Sequence, residues 1–253
     1  MEASSLTRYL LYQLYHSRHM LHTFAETQKE EHLHEFRISL RQTRSLVKLF
    51  VEDTLPFPEA LKTAVKATNP LRELDVLLDS LTSAEYPKLL KQLSKIRKDT
   101  FKSLFSADFE KHVFARLDEY YDLIAQSNPN FIPEILTQRV LTHYQHCLKT
   151  YQLLKQDAKP KRLHRLRIEF KDARYGFEFL ELSDIHKSRK IIQHCKRLQN
   201  RLGAVQDALN QIEWLEKLYQ THPSSALKAL LHKQNKSFKK LKDTTESEIS
   251  PAR

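Results

Sequence analysis

The 253 residues of the chain fit one large domain or two small ones, at about 150 residues per domain. Lysine and arginine outnumber aspartate and glutamate by 42 to 31, which leaves a formal net charge of +11, and 40% of the residues are hydrophobic, enough for a folded core. Because Gly176 and Gly203 are the only glycines, a P-loop and a dinucleotide-binding glycine loop are excluded, and a turn-rich β fold is disfavoured.

Nine prolines separate segments in which apolar residues recur at steps of three and four, the spacing of amphipathic helices. The predicted helices span residues 6–30, 32–52, 58–81 with a bend near Pro70, 87–105, 108–126, 134–156, 161–182, 186–221 with a bend near Gly203, and 223–242. We therefore predict an all-α chain with an N-terminal half at 1–126, a linker from Gln126 to Pro133, a C-terminal half at 134–243 and a frayed tail at 244–253.

The two cysteines, Cys147 and Cys195, are too few for a disulfide framework and lack the spacing of a zinc site, so a reducing, intracellular setting is expected. No basic segment precedes the short apolar run near the N-terminus, and no stretch reaches the roughly 20 apolar residues that span a bilayer. These features predict a cytoplasmic protein without a signal peptide or a membrane span.

The strongest pattern in the chain is an internal repeat of basic residues. The segments Leu33–Phe50 and Leu163–Leu180 align without a gap at an offset of 130 residues, and both carry the same frame of apolar positions. Each places a histidine and three cations at steps of three, four and three. The two basic sets are His34, Arg37, Arg41 and Arg44 in the first segment and His164, Arg167, Lys171 and Arg174 in the second.

On a helix these basic positions fall within a sector of roughly 80° beside the apolar stripe, so each helix would hold a cationic ridge next to a core. Lys48 extends the first ridge to 14 residues, roughly 21 Å at 1.5 Å per residue. Like charges at this spacing repel by about 0.2–0.5 kcal/mol per pair, and a polyanion would reverse that energy. The alternative is a solvated face neutralised by carboxylates of neighbouring helices. Recurrence of the ridge in both halves favours a functional role.

Each ridge is followed by a second basic stretch, in which Lys62 aligns with Lys196 and Asn69 with Gly203 at an offset of 134 residues. Because Asn and Gly tolerate left-handed backbone, a helix bend or end is predicted at Asn69 and at Gly203. The basic residues of these stretches are Lys62, Lys66 and Arg72 in the first half and Lys196, Arg197 and Arg201 in the second. The acidic residues expected to orient arginines there, rather than to perform acid–base chemistry, are Glu73, Asp75 and Asp207.

The histidines give little evidence for a metal site. His16, His19 and His22 follow one another at helical spacing, but no acidic partner stands in register, so we predict no metal and no cofactor. The ridge histidines, His34 and His164, either donate to an anion or hydrogen-bond the backbone. No nucleophile elbow, paired-carboxylate motif or Cys–His pair stands out, so no catalytic residue is predicted.

The paired segments resemble the CHAD family of α-helical domains. The family motif H-x-x-R-x-x-x-R-R-x-R is similar to the set His34, Arg37, Arg41 and Arg44. Gln42 departs from it at the second of the adjacent arginines, and three further family motifs are similar to Arg72–Leu77, His164–Tyr175 and Leu202–Asp207. The resemblance implies two four-helix bundles related by a pseudo-twofold axis, a basic channel between them, and binding of inorganic polyphosphate.

The leading hypothesis is therefore a polyphosphate-binding module that is not an enzyme and that uses the basic residues of both ridges and both following stretches. Association with polyphosphate granules would follow from such binding. The runner-up is nucleic-acid binding, which requires aromatic platforms or Asn and Gln readers among the cations, and only Tyr175 lies beside a ridge. A third hypothesis, an enzyme or accessory that processes phosphoanhydrides, predicts phosphate release stimulated by a divalent metal. The chain lacks the E-x-E-x-K signature of the CYTH triphosphatases that accompany some relatives.

Overall fold

The computed structural model describes residues 4–81, 86–105, 107–127, 129, 132–154 and 160–249, and these residues contain helices and no strand. Ten helices follow one another in this part of the chain. They are α1 (Ser5–Thr27), α2 (Glu30–Phe50), α3 (Glu59–Ala67), α4 (Asn69–Ser80), α5 (Pro87–Leu104), α6 (Ala107–Ser127), α7 (Pro133–Leu154), α8 (Pro160–Leu182), α9 (Arg189–Thr221) and α10 (Ser225–Ile249). The predicted all-α class is confirmed, and no described helix has the length and low charge needed to cross a bilayer.

Proline opens three of the ten described helices. Pro87, Pro133 and Pro160 open α5, α7 and α8, where the first amide has no helical partner and the missing N–H costs nothing. The segment predicted as one bent helix at 58–81 is two helices that meet at Thr68. Pro70 is the cause, because it cannot donate to the carbonyl four residues earlier.

Gly203 does not end a helix, and the bend predicted near it stays a prediction. Helix α9 runs without interruption from Arg189 to Thr221, and neither glycine has a positive φ angle. Asn69, its aligned counterpart, does stand at a helix boundary, since it opens α4. The last helix also continues to Ile249, so residues 244–249, predicted to fray, are helical, while 250–253 lie outside the described residues.

The chain divides into two compact units, Met1–Arg139 with Leu182–Ile185 and Val140–Glu181 with His186–Arg253. The division falls within α7 and not in the predicted linker at 126–133. The first turns of α7 belong to the first unit because Arg139 Nη1 donates to the carbonyl of Phe50 at 2.7 Å, at the C-terminal end of α2.

The core of the first unit is centred on α1, which packs against α2 on one side and against α6 on another. Every apolar position of the first ridge helix predicted to face a core is at most 2% exposed; these are Leu33, Phe36, Leu40, Val47 and Phe50. Phe24 of α1 closes one end, with its ring 5.6 Å from Phe101 and 5.0 Å from Phe105. The repeat therefore identified the buried face of α2 correctly.

The core of the second unit joins α7, α8 and α9. Cys147, Phe170 and Cys195 are fully buried in it, one from each helix, and Gln199 Nε2 donates to the carbonyl of Phe170 at 3.0 Å. Neither cysteine forms a disulfide, and burial raises the pKa of Cys195 to about 12. The Cys195 thiol therefore stays protonated near neutral pH, and both cysteines contribute packing to this core.

Candidate anion-binding site

Four predicted cations of the first unit surround one cavity of about 280 Å³. Arg41 and Arg44 reach it from α2, and Lys62 and Lys66 reach it from α3. One carboxylate, Glu59, stands among the described lining residues, so the lining carries a formal charge of +3. We call Arg41, Arg44, Lys62 and Lys66 the basic quartet. Two stretches that are separate in the sequence thus supply one local concentration of positive charge.

The single carboxylate offsets little of this charge. Glu59 Oε2 lies 3.0 Å from Lys62 Nζ, and the Glu59 side chain is 70% exposed. The hydrogen bond from Lys62 lowers the pKa of Glu59, and Lys66 and Arg44 act in the same direction. Exposed ion pairs of this kind contribute about 0–1 kcal/mol, so an incoming anion can take the place of Glu59 at small cost.

Apolar side chains form the floor of the cavity. Leu40 is 1% exposed and Phe57 is 5% exposed, and the Phe57 ring packs edge-on against Tyr120 at 5.7 Å between centroids. Apolar side chains behind the cations exclude water, which lowers the local dielectric constant and strengthens the attraction of the cations for an anion. The face of Phe57 is used by the core and offers no platform on which a base would stack.

His34 and Arg72 lie together at the other end of the first ridge. Arg72 Nη1 is 3.4 Å from Glu30 Oε2, and both side chains are about a quarter exposed. Burial lowers the pKa of His34, and the positive charge of Arg72 lowers it further. Neutral His34 is therefore the dominant form at pH 7. Lys48 is exposed near the C-terminal end of α2.

Arg37 occupies a different environment from the rest of the ridge, because it is 5% exposed. Its Nη1 donates to the carbonyl of Val65 at 2.7 Å and to Thr68 Oγ1 at 2.6 Å, and its Nη2 donates to Asn69 Oδ1 at 2.8 Å. Burial, followed by the charge of Arg41, lowers the pKa of Arg37 to about 10. Arg37 was predicted to contact the ligand, but its guanidinium instead ties α2 to the junction of α3 and α4.

The expectation that acidic residues orient arginines is met by Asp75. Arg97 Nε of α5 donates to Asp75 Oδ1 at 2.5 Å, and Arg97 Nη2 donates to the carbonyl of Gln28 at 2.7 Å. Burial raises the pKa of Asp75 and the bond from Arg97 opposes that rise. The pair links α4 and α5 to the turn between α1 and α2. The side chain of Asp207 lies outside the described residues.

In the second unit, two predicted cations share one carboxylate. Arg174 Nη1 lies 3.5 Å and Lys196 Nζ 3.8 Å from Glu178 Oε1. Arg174 also stands over the ring of Tyr175, 4.6 Å from its centre, and its buried Nε–H has no hydrogen-bond partner among the described residues. An unsatisfied buried donor on a cation is a feature that a bound anion would correct.

His164 and Arg167 stand near the start of the second ridge. Buried His164 Nδ1 has no hydrogen-bond partner in the described part of the chain, so a backbone hydrogen bond at this nitrogen is not formed. The guanidinium of Arg167 lies against the backbone of Gly203 on α9. The remaining predicted cations of this unit are half-buried Lys171 and exposed Arg197 and Arg201. Within the described residues no three His, Cys, Asp or Glu side chains are placed to hold a metal ion.

A family model described as the CHAD domain matches residues 12–216. The chain belongs to the CHAD family. The CHAD domain crystal structure from the plant Ricinus communis is similar over 99% of this chain and 93% of that chain, with a TM-score of 0.74 and 20% sequence identity. At that identity the likeness shows the CHAD fold and not a shared ligand. No curated protein matches the chain significantly.

The sequence analysis did not identify the roles of three residues that position the predicted cations or their acidic partners. Glu178 stands four residues after Arg174, and the i,i+4 rule would have found this pair. Arg97 is 22 residues from Asp75 on another helix, and no local signal connects them. Gly203 was interpreted as a bend, although it serves as a point of close approach.

Proposed function

We propose that this CHAD protein binds inorganic polyphosphate and that the basic quartet is its main contact surface in the first unit. The observation that carries the proposal is the placement of Arg41, Arg44, Lys62 and Lys66 around one cavity whose lining has a single, exposed carboxylate. Arginine would bind phosphate oxygens through paired N–H groups, and lysine would add mobile charge. Arg72, His34 and Lys48 extend this surface along α2 and α4.

The second unit contributes its own cations to the proposed function. Among the described residues, the buried Nε–H of Arg174 and the buried Nδ1 of His164 have no hydrogen-bond partner, and both residues are on α8. The further contacts proposed in this unit are Arg167, Lys171, Lys196, Arg197 and Arg201. A phosphate oxygen near Arg174 would take over part of the role of Glu178.

Polyphosphate is favoured over nucleic acid because the aromatic rings beside the proposed contacts are buried. Sequence-tolerant binding of single strands relies on exposed rings that stack on bases. Phe57 beside the quartet is 5% exposed, and Tyr175 beside Arg174 is 4% exposed and already covered by that guanidinium. A ligand that offers charge without bases fits these surroundings better.

The resemblance to CHAD proteins implies one basic channel between two four-helix bundles, and this part of the proposal rests on the resemblance alone. It predicts a stoichiometry of one long chain per protein, with substitutions in either unit weakening the same binding event. Two independent chains per protein, each lost with one unit's substitutions, would contradict the shared channel and leave polyphosphate binding in place.

The test is calorimetry with polyphosphate of defined length on two variants of equal charge. The first replaces the quartet, Arg41, Arg44, Lys62 and Lys66, by Gln. The control replaces four exposed lysines of α5 by Gln, and these are Lys88, Lys91, Lys95 and Lys98. We expect at least a ~100-fold loss of affinity for the quartet variant and a much smaller loss for the control, because each charge-assisted hydrogen bond contributes about 1.5–3 kcal/mol.

Equal losses in the two variants would show that only net charge matters and would refute a site at the quartet. RNA that displaces the protein from polyphosphate at equal phosphate concentration would favour the nucleic-acid alternative. We further propose that the protein is not an enzyme. Phosphate release from polyphosphate, stimulated by Mg²⁺ and lost in the quartet variant, would contradict that.

A further inference from the structure

We propose that Gly203 is a positioning residue, and that its missing side chain sets the place of the Arg167 guanidinium. This inference rests on the proposed function, because it assigns Arg167 a role in polyphosphate binding. A β-carbon at position 203 would lie 2.6 Å from Nε, 3.0 Å from Cζ and 3.1 Å from Nη2 of Arg167. These distances are shorter than van der Waals contact, so any side chain at 203 must displace the guanidinium.

The backbone conformation of Gly203 excludes the usual reason for a glycine, which is a left-handed backbone. It lies inside the 33-residue helix α9, and its φ angle is not positive. Glycine in a helix interior costs about 0.5–1 kcal/mol relative to alanine. Because the backbone conformation does not require glycine at position 203, we attribute its presence to the space that it leaves for Arg167.

In the first unit the position that corresponds to Gly203 carries a side chain, and that side chain binds the corresponding arginine. Arg37 aligns with Arg167 at an offset of 130 residues, and Asn69 aligns with Gly203 at an offset of 134. In the first unit Asn69 Oδ1 accepts a hydrogen bond from Arg37 Nη2 at 2.8 Å, and Arg37 is buried. In the second unit the aligned position carries no side chain, and Arg167 stays half-buried instead. Position 203 therefore determines where the Arg167 guanidinium lies against α9.

The experiment is a double-mutant cycle with Gly203→Ala and Arg167→Ala, read by urea unfolding and by calorimetry with polyphosphate. Because a guanidinium ends a flexible side chain, Gly203→Ala moves Arg167 and leaves the protein folded. Without Arg167, Gly203→Ala should raise the folding equilibrium constant by about two- to fivefold, as expected for Ala over Gly in a helix. With Arg167 present the gain should be smaller, and polyphosphate affinity should fall about tenfold, the loss of one charge-assisted hydrogen bond.

The matched control is Ala204→Gly, which changes one methyl group at the exposed neighbouring position. It should lower the folding constant equally with and without Arg167, and polyphosphate affinity should stay unchanged. If Gly203→Ala stabilises the protein equally with and without Arg167, a side chain at position 203 does not displace the guanidinium and the inference is overturned. If Gly203→Ala leaves affinity intact while the quartet variant loses it, this inference fails and the proposed function stands. If the quartet variant also keeps its affinity, the proposed function itself fails.

Discussion

Replacing Arg44 by Gln should stabilise the free protein while weakening its proposed ligand binding. Arg44 is exposed on α2 and has like charges three residues before it, Arg41, and four residues after it, Lys48. Each such pair costs about 0.2–0.5 kcal/mol, so Arg44→Gln should raise the free energy of unfolding by about 0.4–1 kcal/mol at low salt. Gln and Arg have similar helix propensity, so this gain is electrostatic and should shrink as salt is added.

Binding should change in the opposite direction. Loss of one phosphate contact should lower polyphosphate affinity about tenfold, and the slope of log K against log salt should become shallower by about 0.7–0.9, the value per contact known for nucleic acids. Urea unfolding at two salt concentrations measures the stability, and calorimetry over a salt series measures the slope.

Lys91→Gln on α5 is a closely matched control. Lys91 is exposed, with Lys88 three residues before it and Lys95 four residues after it, the same spacing as around Arg44. The stability gain should therefore be equal, and neither affinity nor salt slope should change. If the two variants bind polyphosphate alike, or if Arg44→Gln destabilises the free protein, the reasoning about the quartet is refuted.

Three further predictions concern single residues. Arg37→Ala should lower the free energy of unfolding by about 3 kcal/mol, measured in urea, since it removes three hydrogen bonds of a buried guanidinium; an unchanged urea midpoint would show that these bonds do not hold α2. Because burial and Arg72 lower the pKa of His34, its contribution to stability is present above about pH 6.5 and is lost as the pH falls through the folded-state pKa. His34→Gln should thus flatten the acid side of the stability profile, and a parallel profile would contradict this. Ser4→Ala should cost about 1 kcal/mol in thermal unfolding, because Ser4 caps α1 and donates to the carbonyl of Pro129 at 2.7 Å; no loss would mean that solvent replaces the cap.

The helices were predictable because their signals are local. Proline at a helix start and apolar residues at steps of three and four act within one or two turns, and packing did not override them. The repeat aligned the members of two distant contacts, because its two offsets pair Arg37 with Arg167 and Asn69 with Gly203. In each unit the arginine lies against the other aligned residue, Arg37 against Asn69 and Arg167 against Gly203.

Burial of a single cation was not predictable in the same way. The basic sector of a ridge helix adjoins its apolar sector, so periodicity gives each cation the same expected exposure. Arg37 is buried because it donates to the carbonyl of Val65 and to Thr68 where α3 ends, a contact between distant segments that periodicity does not reveal. Arg44, two turns further along α2, lines the cavity instead.

Net charge by itself does not locate the proposed site. Residues 1–125 hold 18 basic and 18 acidic side chains, yet the quartet and Glu59 together give the described lining of one cavity in this neutral half a charge of +3. The excess of cations in the second half is spread along α8, α9 and α10, and two of these cations lie near the carboxylate of Glu178. The field at a binding site depends on charges within about one Debye length, roughly 8–10 Å, so the spacing of Arg41, Arg44, Lys62 and Lys66 matters more than the sum over either half. Moving one of these cations to α5 at constant net charge should therefore weaken polyphosphate binding as much as deleting it.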